Sequence, residues 1–335
     1  MQELAGKVVV ITGASSGFGR GAAMKFAGAG ANVVAASRRK RVLKELERQC
    51  KDLEGRIVVV ETDVSQQKDV EKLCSKALSE FGRIDIWINN AGVGTVGHFE
   101  EVPLQEHEQV IRTNLLGTVY GSYFALREFR QRGKGILINM SSFAGKIGSP
   151  YLSSYSASKF GVRGLDMALR QELEQNDEVG IHVCTVMPAS FDTPFFEHSG
   201  SHLGKEVQPI PPVYDPQKVI NTIFELAQDP RDEVAVGTMG KVGSAQYRLA
   251  PKLTEKIMGK NTHRSQMKAA SARNSSGSVF EPMSSGTDVY GGWRESNGVA
   301  KTAAKVLGIA APAALAVVLL ARKRWQDDRE LSRVA

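Results

Sequence analysis

The sequence predicts an α/β fold, a doubly wound parallel sheet in one catalytic domain with helices on both faces. Short apolar runs alternate with amphipathic segments along the first part of the chain, an order typical of βαβ units. The runs are apolar at successive positions, as expected of parallel strands buried on both faces. Six runs predict strands: Lys7–Ile11, Asn32–Ala36, Ile57–Glu61, Ile84–Ile88, Ile136–Asn139 and Ile181–Val186.

The segments between these runs have the length of crossover helices. Parallel strands need such right-handed crossovers, which cover the two faces of the sheet. Open sheets of this kind bind their ligands at the carboxyl ends of the strands, so we expect functional residues there. Four long segments predict helices: Lys40–Leu53, Gln67–Phe81, Leu104–Arg130 and Tyr151–Gln175.

A glycine-rich turn follows the first predicted strand and opens a helix. Gly13 permits a tight turn, Gly17 lets the backbone approach a pyrophosphate, and Gly19 permits close packing of the helix, whose N-terminal amides favour an anion. An ordinary turn is the alternative. The strand–turn–helix context favours a phosphate cradle.

Tyr155 and Lys159 lie four residues apart and therefore share one face of a helix. A phenol titrates near pH ~10, and a neighbouring ammonium stabilises the phenolate and lowers that pKa. Ser142, just after the strand at Ile136–Asn139, supplies a hydroxyl for an oxygen that the tyrosine protonates. On its own the pair is more typical of an exposed tyrosine beside a solvated lysine, and the motifs in the rest of the chain favour the catalytic interpretation.

Taken together, these motifs resemble the short-chain dehydrogenase/reductase family over about residues 5–240. The resemblance implies a Rossmann-type fold and a catalytic tetrad of Asn114, Ser142, Tyr155 and Lys159. It also implies dinucleotide contacts from a larger set: Thr12, Gly13, Ser15, Ser16, Gly17, Phe18, Gly19, Ser37, Arg38, Asp63, Val64, Asn90, Ala91, Gly92, Tyr155, Lys159, Pro188 and Thr193. Ala189 departs from the family, which usually has glycine after the proline.

The resemblance further implies an enzyme that interconverts a carbonyl and an alcohol by hydride transfer. Tyr155 would donate the proton during reduction, while Lys159 lowers its pKa and holds the nicotinamide ribose. Ser142 would polarise the carbonyl and Asn114 would position a water in the proton relay. The alternative is a membrane-tethered dinucleotide-sensing or scaffolding protein without turnover, against which the intact tetrad argues.

The end of the second strand favours NADP(H) over NAD(H). Ser37 and Arg38 stand where an NAD-preferring enzyme would place a carboxylate for the ribose hydroxyls. A 2′-phosphate instead needs cations, and in this family a basic residue here resembles the NADP-preferring branch. The alternative is that Arg38 and Arg39 simply begin a solvated helix.

The sequence says less about the substrate and other ligands. Phe191, Phe195, Phe196 and Ile210–Tyr214 lie in the segment that covers the substrate in this family, which weakly favours a hydrophobic ketone, aldehyde or alcohol. Packing of that segment on its own core explains them equally well. The histidines show no metal-ligand spacing, so we expect no metal, and we expect no nucleic-acid partner. The odd, widely spaced cysteines, Cys50, Cys74 and Cys184, indicate reduced thiols in a cytosolic compartment, and no signal peptide is expected.

The basic excess of the chain lies entirely in its C-terminal quarter. Residues 251–335 hold fourteen Lys/Arg and seven Asp/Glu, which accounts for the whole net charge of +7. Five cations recur there at every fourth residue and would form one stripe on a helix: Lys252, Lys256, Lys260, Arg264 and Lys268. This stripe indicates either a solvated face or attraction to anionic lipid headgroups.

The composition predicts four parts. Residues 1–250 form the dinucleotide-binding and catalytic domain, 251–298 a basic linker that is Ser/Gly-rich and flexible from 261, 299–324 a hydrophobic helix and 325–335 a polar tail. Residues 306–321 are sixteen uncharged residues between cationic flanks. As a helix they span about 24 Å, short of a hydrocarbon core of about 30 Å, and flanking residues would make up the difference.

We expect residues 299–324 to anchor the protein in a membrane, with the catalytic domain facing the cytoplasm. An interfacial or re-entrant segment, or a helix docked on the body or on a partner, are the alternatives. The long helices predicted at Leu104–Arg130 and Tyr151–Gln175 commonly pack between subunits in this family, so we also expect a homo-oligomer.

Overall fold

The computed structural model describes residues 3–296, in which nine strands occur. Seven of them form one sheet and two form a short parallel pair beside the site. The strands are β1 (Val8–Thr12), β2 (Asn32–Ser37), β3 (Ile57–Glu61), β4 (Ile86–Asn89), β5 (Thr95–Val96), β6 (Gly135–Met140), β7 (Ile181–Pro188), β8 (Gly200–Ser201) and β9 (Glu233–Val236).

The seven-stranded sheet is parallel throughout, in the order β3–β2–β1–β4–β6–β7–β9. The chain moves outward from β1 in one direction and then, from β4 onward, in the other. Thr12 pairs with Ala36, and Asn89 pairs with Asn139, so the ends of β1, β2, β4 and β6 meet at one edge. The crevice outside that edge is where such a sheet holds a ligand.

The connections are helical: α1 (Gly17–Gly28), α2 (Lys40–Gln49), α3 (Gln67–Phe81), α4 (Leu104–Ile111), α5 (Gly117–Arg132), α6 (Ser153–Gln175), α7 (Phe195–His198), α8 (Gln217–Leu226), α9 (Thr238–Leu249), α10 (Pro251–Met267) and α11 (Trp293–Ser296). A π-helical turn, Arg112–Leu116, joins α4 to α5, and a 3₁₀ turn, Phe143–Gly145, follows β6. Gly82 and Gly133 end α3 and α5 in the left-handed region that favours glycine.

Two apolar layers cover the sheet. On one face Phe26 of α1, Leu43 of α2 and Ile223 of α8 pack on β1, β2 and β7. On the other, Leu73 of α3 and Phe129 of α5 pack with the side chains that point the opposite way from the same strands. Burial on both faces explains why the strands are apolar at successive positions.

The predicted doubly wound parallel sheet is therefore confirmed, with differences in the bounds of its elements. The β3 and α3 bounds agree with the sequence analysis, and the predicted strand at Ile84–Ile88 begins two residues later. The segment Leu104–Arg130 is not one helix but two, because the π-helical turn interrupts it. Ile181 begins β7, which continues to Pro188.

The segment assigned to a linker has more structure than its composition indicates. α10 continues to Met267, with Thr262 and Gln266 buried against the body and the cationic side chains Lys252, Lys256 and Lys260 exposed. After it, residues 268–293 belong to the same structural unit as the sheet, and a second unit begins at Arg294. Polar residues order here because their backbone groups pair with the body rather than with water.

The predicted membrane localisation is wrong for the chain as described. Between residues 3 and 296 no helix is both long and apolar enough to cross a membrane. The hydrophobic segment 299–324, which carried the predictions of an anchor and of a membrane-lipid partner, lies outside the described residues, as does the tail at 325–335.

Candidate active site

The glycine-rich turn between β1 and α1 is packed tightly against the end of β4. A Cβ on Gly13 would lie 2.8 Å from the Ala91 Cα, and one on Gly19 would collide with the Gly13 carbonyl. Gly13 and Gly17 both have positive φ, +68° and +54°. These positions therefore require glycine, and the turn presents bare backbone at the start of α1.

Thr12 and Asn90 hold the ends of β1 and β4 together. The Thr12 hydroxyl accepts from the amides of Asn90 and Ala91, at 3.0 and 3.1 Å. The Asn90 side chain in return donates to the carbonyls of Thr12 and Gly13, at 3.0 and 3.3 Å. These hydrogen bonds fix the backbone of the turn, although the Thr12 side chain does not line the cavity.

Ser142, Tyr155 and Lys159 converge at the end of β6. Lys159 is only 4% exposed and donates from Nζ to the Met140 carbonyl at 2.8 Å. Its ammonium lies 5.7 Å from the centroid of the Tyr155 ring. Ser142 accepts from the Ala144 amide at 3.1 Å, and its hydroxyl also hydrogen-bonds the Tyr155 phenol. The acid, the cation and the hydroxyl predicted from the sequence are therefore neighbours.

Burial controls the protonation of this group. It raises the pKa of Tyr155 to about 12, against the opposing hydrogen bond from Ser142. It lowers the pKa of Lys159 to about 8, since a charged ammonium is costly away from water. The expectation that Lys159 lowers the Tyr155 pKa is not met in the protein by itself, because desolvation of the phenolate raises that pKa by more than the hydrogen bond from Ser142 lowers it.

Asn114 lies in the π-helical turn and is fully buried. Its side chain holds the loop between β4 and β5: it accepts from the Val93 amide and donates to the Val93 carbonyl, both at 2.9 Å. It also donates to the Ser158 hydroxyl at 3.1 Å. Ser158 lies on α6 between Tyr155 and Lys159, so Asn114 supports the helix that carries them.

Two guanidinium groups follow β2. Arg39 donates to the hydroxyls of Ser15 and Ser16, at 3.0 and 2.7 Å, and so ties the glycine-rich turn to the end of β2. Arg38 donates to the carbonyls of Ser278 and Phe280. Burial lowers the pKa of both arginines from its ordinary value.

One cavity of about 390 Å³ connects these features. It runs from the end of β2 past the glycine-rich turn to Tyr155 and Lys159. The predicted site residues that line it are Gly13, Ser15, Ser16, Gly17, Phe18, Ser37, Arg38, Asp63, Val64, Asn90, Ala91, Gly92, Ser142, Tyr155, Lys159, Pro188 and Thr193. Thr12, Gly19 and Asn114 are not in the wall and support it from behind.

A match between the sequence and a family profile decides to which family the chain belongs. The profile described as short chain dehydrogenase matches residues 7–204, more than half of the chain. The chain belongs to the short-chain dehydrogenase/reductase family. It is accordingly an oxidoreductase with a Rossmann-type sheet.

Three similar proteins illustrate the breadth of this dehydrogenase family. The uncharacterized oxidoreductase YxnA of Bacillus subtilis is 36% identical over 79% of this chain and 75% of its own length. A short-chain dehydrogenase/reductase from Burkholderia phymatum, solved with NAD, has a TM-score of 0.68 at 26% identity and covers 77% of this chain and 97% of its own. An alcohol dehydrogenase from Thermococcus sibiricus, solved with 5-hydroxy-NADP, has a TM-score of 0.60 at 25% identity and covers 69% of this chain and 95% of its own.

The cavity of this dehydrogenase fits a nicotinamide dinucleotide. The glycine cradle leaves room only for bare backbone, and the cavity continues from there to the tyrosine without interruption. Thr193 sits against the cradle, with its Cβ 3.5 Å from where a Cβ on Gly17 would lie. The two solved relatives carry one NAD and one NADP analogue, so the family alone does not select between them.

Part of the cavity wall lies beyond residues 7–204 and was not predicted from the sequence. α10 contributes Thr254, Ile257, Met258 and Asn261, and a later stretch contributes Ser278, Pro282 and Met283. Ile257 lies on the helix that also carries the basic stripe of Lys252, Lys256 and Lys260. Its spacing from Thr254 and Asn261, at three and four residues, is the signal that these side chains share one face of α10, the face that lines the cavity.

Proposed function

We propose that this dehydrogenase uses NADP(H) to interconvert a carbonyl and an alcohol on a hydrophobic substrate. The observation that supports the proposal best is the meeting of Tyr155, Ser142 and Lys159 on the wall of a cavity that also contains the glycine cradle. A bound dinucleotide would supply or accept the hydride there. Side chains of the protein carry out the proton transfer.

Tyr155 is the proton donor in the reductive direction. Because burial keeps its pKa near 12, the phenol carries its proton at neutral pH. Ser142, which hydrogen-bonds this phenol, is placed to bond the same substrate oxygen and polarise the carbonyl. Lys159 supplies the cation that stabilises the phenolate left behind, and its Nζ is held in place by the Met140 carbonyl.

The preference for NADP(H) rests on the end of β2. Ser37 occupies the last position of the strand, and two arginines follow it where a carboxylate would bind the ribose of NAD. A guanidinium binds a phosphate through charge-assisted, often bidentate hydrogen bonds. The other groups proposed to hold the dinucleotide are the cradle backbone, Asp63 and Val64, Asn90 to Gly92, and Thr193.

The substrate end of the cavity is mainly apolar. Its walls come from three places: the connection between β6 and α6, the segment between β7 and α8, and α10. The apolar residues that line it include Phe143, Leu152, Phe195, Val207, Ile210, Ile257 and Met258. Such a lining favours a substrate whose carbonyl is attached to an apolar body.

Tyr155→Phe tests the reaction. Removal of the hydroxyl eliminates the proton donor, so we expect kcat for reduction of a hydrophobic ketone to fall by about 10³-fold or more, while NADPH binding changes little. Tyr123→Phe is the matched control, since Tyr123 is exposed on α5 and should keep the wild-type rate. NADPH oxidation measured across a panel of ketones and aldehydes gives the rates, and wild-type turnover by Tyr155→Phe on any confirmed substrate would refute the assignment.

Arg38→Asp tests the cofactor preference. We expect the wild-type protein to bind NADPH at least about tenfold more tightly than NADH, and the substituted carboxylate to reverse that order by repelling the 2′-phosphate. Arg41→Asp, the same charge reversal at an exposed position in the first turn of α2, should leave the order unchanged. Fluorescence titration of both dinucleotides measures the affinities, and equal wild-type affinities would contradict the preference.

A further inference from the structure

Residues 276–293, here called the strap, cross the cofactor end of the cavity. They lie well beyond residues 7–204, the part of the chain that matches the family profile. The strap contains no long helix or strand, yet it is part of the same structural unit as the sheet. What holds it there is a series of hydrogen bonds to residues of the proposed dinucleotide site.

The middle of the strap is held by the two arginines that follow β2. Arg38 donates to the carbonyls of Phe280 and Ser278, at 2.6 and 2.7 Å. Arg39 donates to the carbonyl of Ser285 at 3.0 Å and makes longer contacts with those of Met283 and Gly286. The carbonyls are neutral and leave the charge of both guanidinium groups in place. The carboxylates of Asp63 and Glu281 also act on Arg38, and that of Glu197 acts on Arg39.

Both ends of the strap are fastened as well. Near its start, the Ser276 hydroxyl donates to Glu106, which is 1% exposed, at 2.7 Å. Near its end, the Asp288 carbonyl accepts from the Gly17 amide in the glycine cradle at 2.9 Å. Trp293 then donates from Nε1 to the Thr193 carbonyl at 3.1 Å.

The strap forms a wall of the cavity and does not fill it. Ser278, Pro282 and Met283 line the same cavity as Asp63 and the glycine cradle, and a volume of about 390 Å³ is open with the strap in place. Val279 is fully buried and packs with Val93 and Val110, against which Tyr155 also lies. The strap therefore connects the two halves of the proposed site.

We propose that the strap is part of the dinucleotide site: it walls the adenosine end of the cavity and must open for a dinucleotide to enter or leave. The inference rests on the proposed function, because it assumes that a dinucleotide occupies the cavity. A bound dinucleotide adds contacts to Ser278, Pro282 and Met283 and so stabilises the closed strap. Its departure requires the hydrogen bonds to Arg38, Arg39 and Gly17 to break together.

Amide hydrogen exchange of the full-length protein tests this directly. We expect saturating NADPH to slow exchange in peptides covering residues 276–293 by about tenfold or more, since exchange there requires opening of the strap. Unchanged or faster exchange, with NADPH bound, would overturn the strap proposal and leave the proposed function intact. Failure of both NADPH and NADH to bind would overturn both.

Two substitutions test separately the strap's contact with the cavity and the hydrogen bond that holds its end. Met283→Ala removes side-chain contact with the cavity, and we expect the Kd for NADPH to rise about fivefold to tenfold. Met24→Ala, a matched change at an exposed position on α1, should leave the Kd unchanged. Trp293→Ala removes the fastening to Thr193, and stopped-flow release of NADPH should accelerate about tenfold. Wild-type Kd in the first variant, or wild-type release in the second, would contradict the proposal.

Discussion

Burial acts in opposite directions on the pKa values of the two central residues of the site. It raises the pKa of Tyr155 to about 12 and lowers that of Lys159 to about 8. Both shifts favour the uncharged form, as expected when a group leaves water. At neutral pH Tyr155 therefore keeps its proton. Of the two groups, Lys159 has the pKa closer to neutral pH.

The Lys159 pKa predicts the pH dependence of reduction. Below about pH 8 Lys159 is charged and stabilises the phenolate that forms as Tyr155 gives up its proton. Above that pH the cation is lost, so we expect kcat/KM for carbonyl reduction to be level from pH 6 to 7.5 and then to fall, approaching about tenfold per pH unit. Initial rates at saturating NADPH across pH 6–10 measure the profile.

Lys159→Arg distinguishes this group from others that titrate nearby. An arginine keeps its charge throughout the range, so any activity it retains should lose the decline near pH 8. A wild-type profile that stays level to pH 9.5 would contradict the assignment, and so would a decline that persists unchanged in the arginine variant.

At the scale of elements, a buried polar network joins α6 to strands β6 and β7. Asp166 of α6 has no exposed surface and accepts from the Asn139 side chain at 2.6 Å and the Thr185 hydroxyl at 2.7 Å. Burial raises its pKa to about 6, against these hydrogen bonds and the charge of Arg170, while Glu233 adds to the rise. The carboxyl group lies on the helix that carries Tyr155 and Lys159.

The raised Asp166 pKa predicts a pH-dependent contribution to stability. The unfolded chain releases this proton near pH ~4, whereas the native state holds it to about pH 6. Between those values the native state binds more protons, so the contribution is present in full below pH ~4 and is lost as the pH rises through 6. The loss is on the order of 3 kcal/mol.

Asp166→Asn removes this titration and keeps the side chain's shape. Other carboxylates titrate in the same range, so the quantity to measure is the difference in free energy of unfolding between wild type and variant. We expect that difference to shift in favour of the variant as urea denaturation is moved from pH 4.5 to pH 7. A difference that is independent of pH would show that Asp166 has an ordinary pKa.

Elements with a strong local pattern were predictable from the sequence, and elements defined by long-range pairing were not. Gln67–Phe81 shows helical periodicity and ends at a glycine, and its bounds were predicted as found. β9 is short and only partly buried, and it owes its place to pairing with β7, so its sequence alone gave no signal. The strap is rich in Ser and Gly and is ordered by Arg38, Arg39 and Gly17, which lie more than two hundred residues earlier.

In the site too, features that belong to local motifs were predictable, and features that depend on long-range contacts were not. Tyr155, Lys159, Ser142 and the glycine turn belong to local motifs, and the structure brings them together in one cavity as the motifs imply. The Tyr155 pKa was predicted in the wrong direction, because the sequence shows the neighbouring cation but not the burial. The side-chain partners of Asn114 were likewise hidden, since Val93 is brought to it by the fold.

For the whole molecule, the net charge and the exposed apolar side chains lie in different parts of the chain. The net charge of +7 belongs to residues 251–335, whereas residues 1–250 are balanced. The balanced body exposes large apolar side chains on its two long helices, with Tyr123 of α5 56% exposed and Phe160 and Met167 of α6 each 42% exposed. Phe160 and Met167 are seven residues apart and share one face of α6, and exposed apolar groups on a helix face are a common feature of subunit contacts.

We therefore expect the protein to self-associate through α5 and α6. A symmetric contact would bury these side chains in both copies, and the balanced charge of the body would not oppose it. Light scattering of the full-length protein at micromolar concentration should give at least twice the chain mass of 36.3 kDa. Phe160→Glu together with Met167→Glu should return the mass to that of one chain, because burying two carboxylates at the contact is costly. Val179→Glu, at an 86% exposed apolar position outside these helices, should leave the assembly intact, and a single-chain mass for the wild-type protein would exclude the contact.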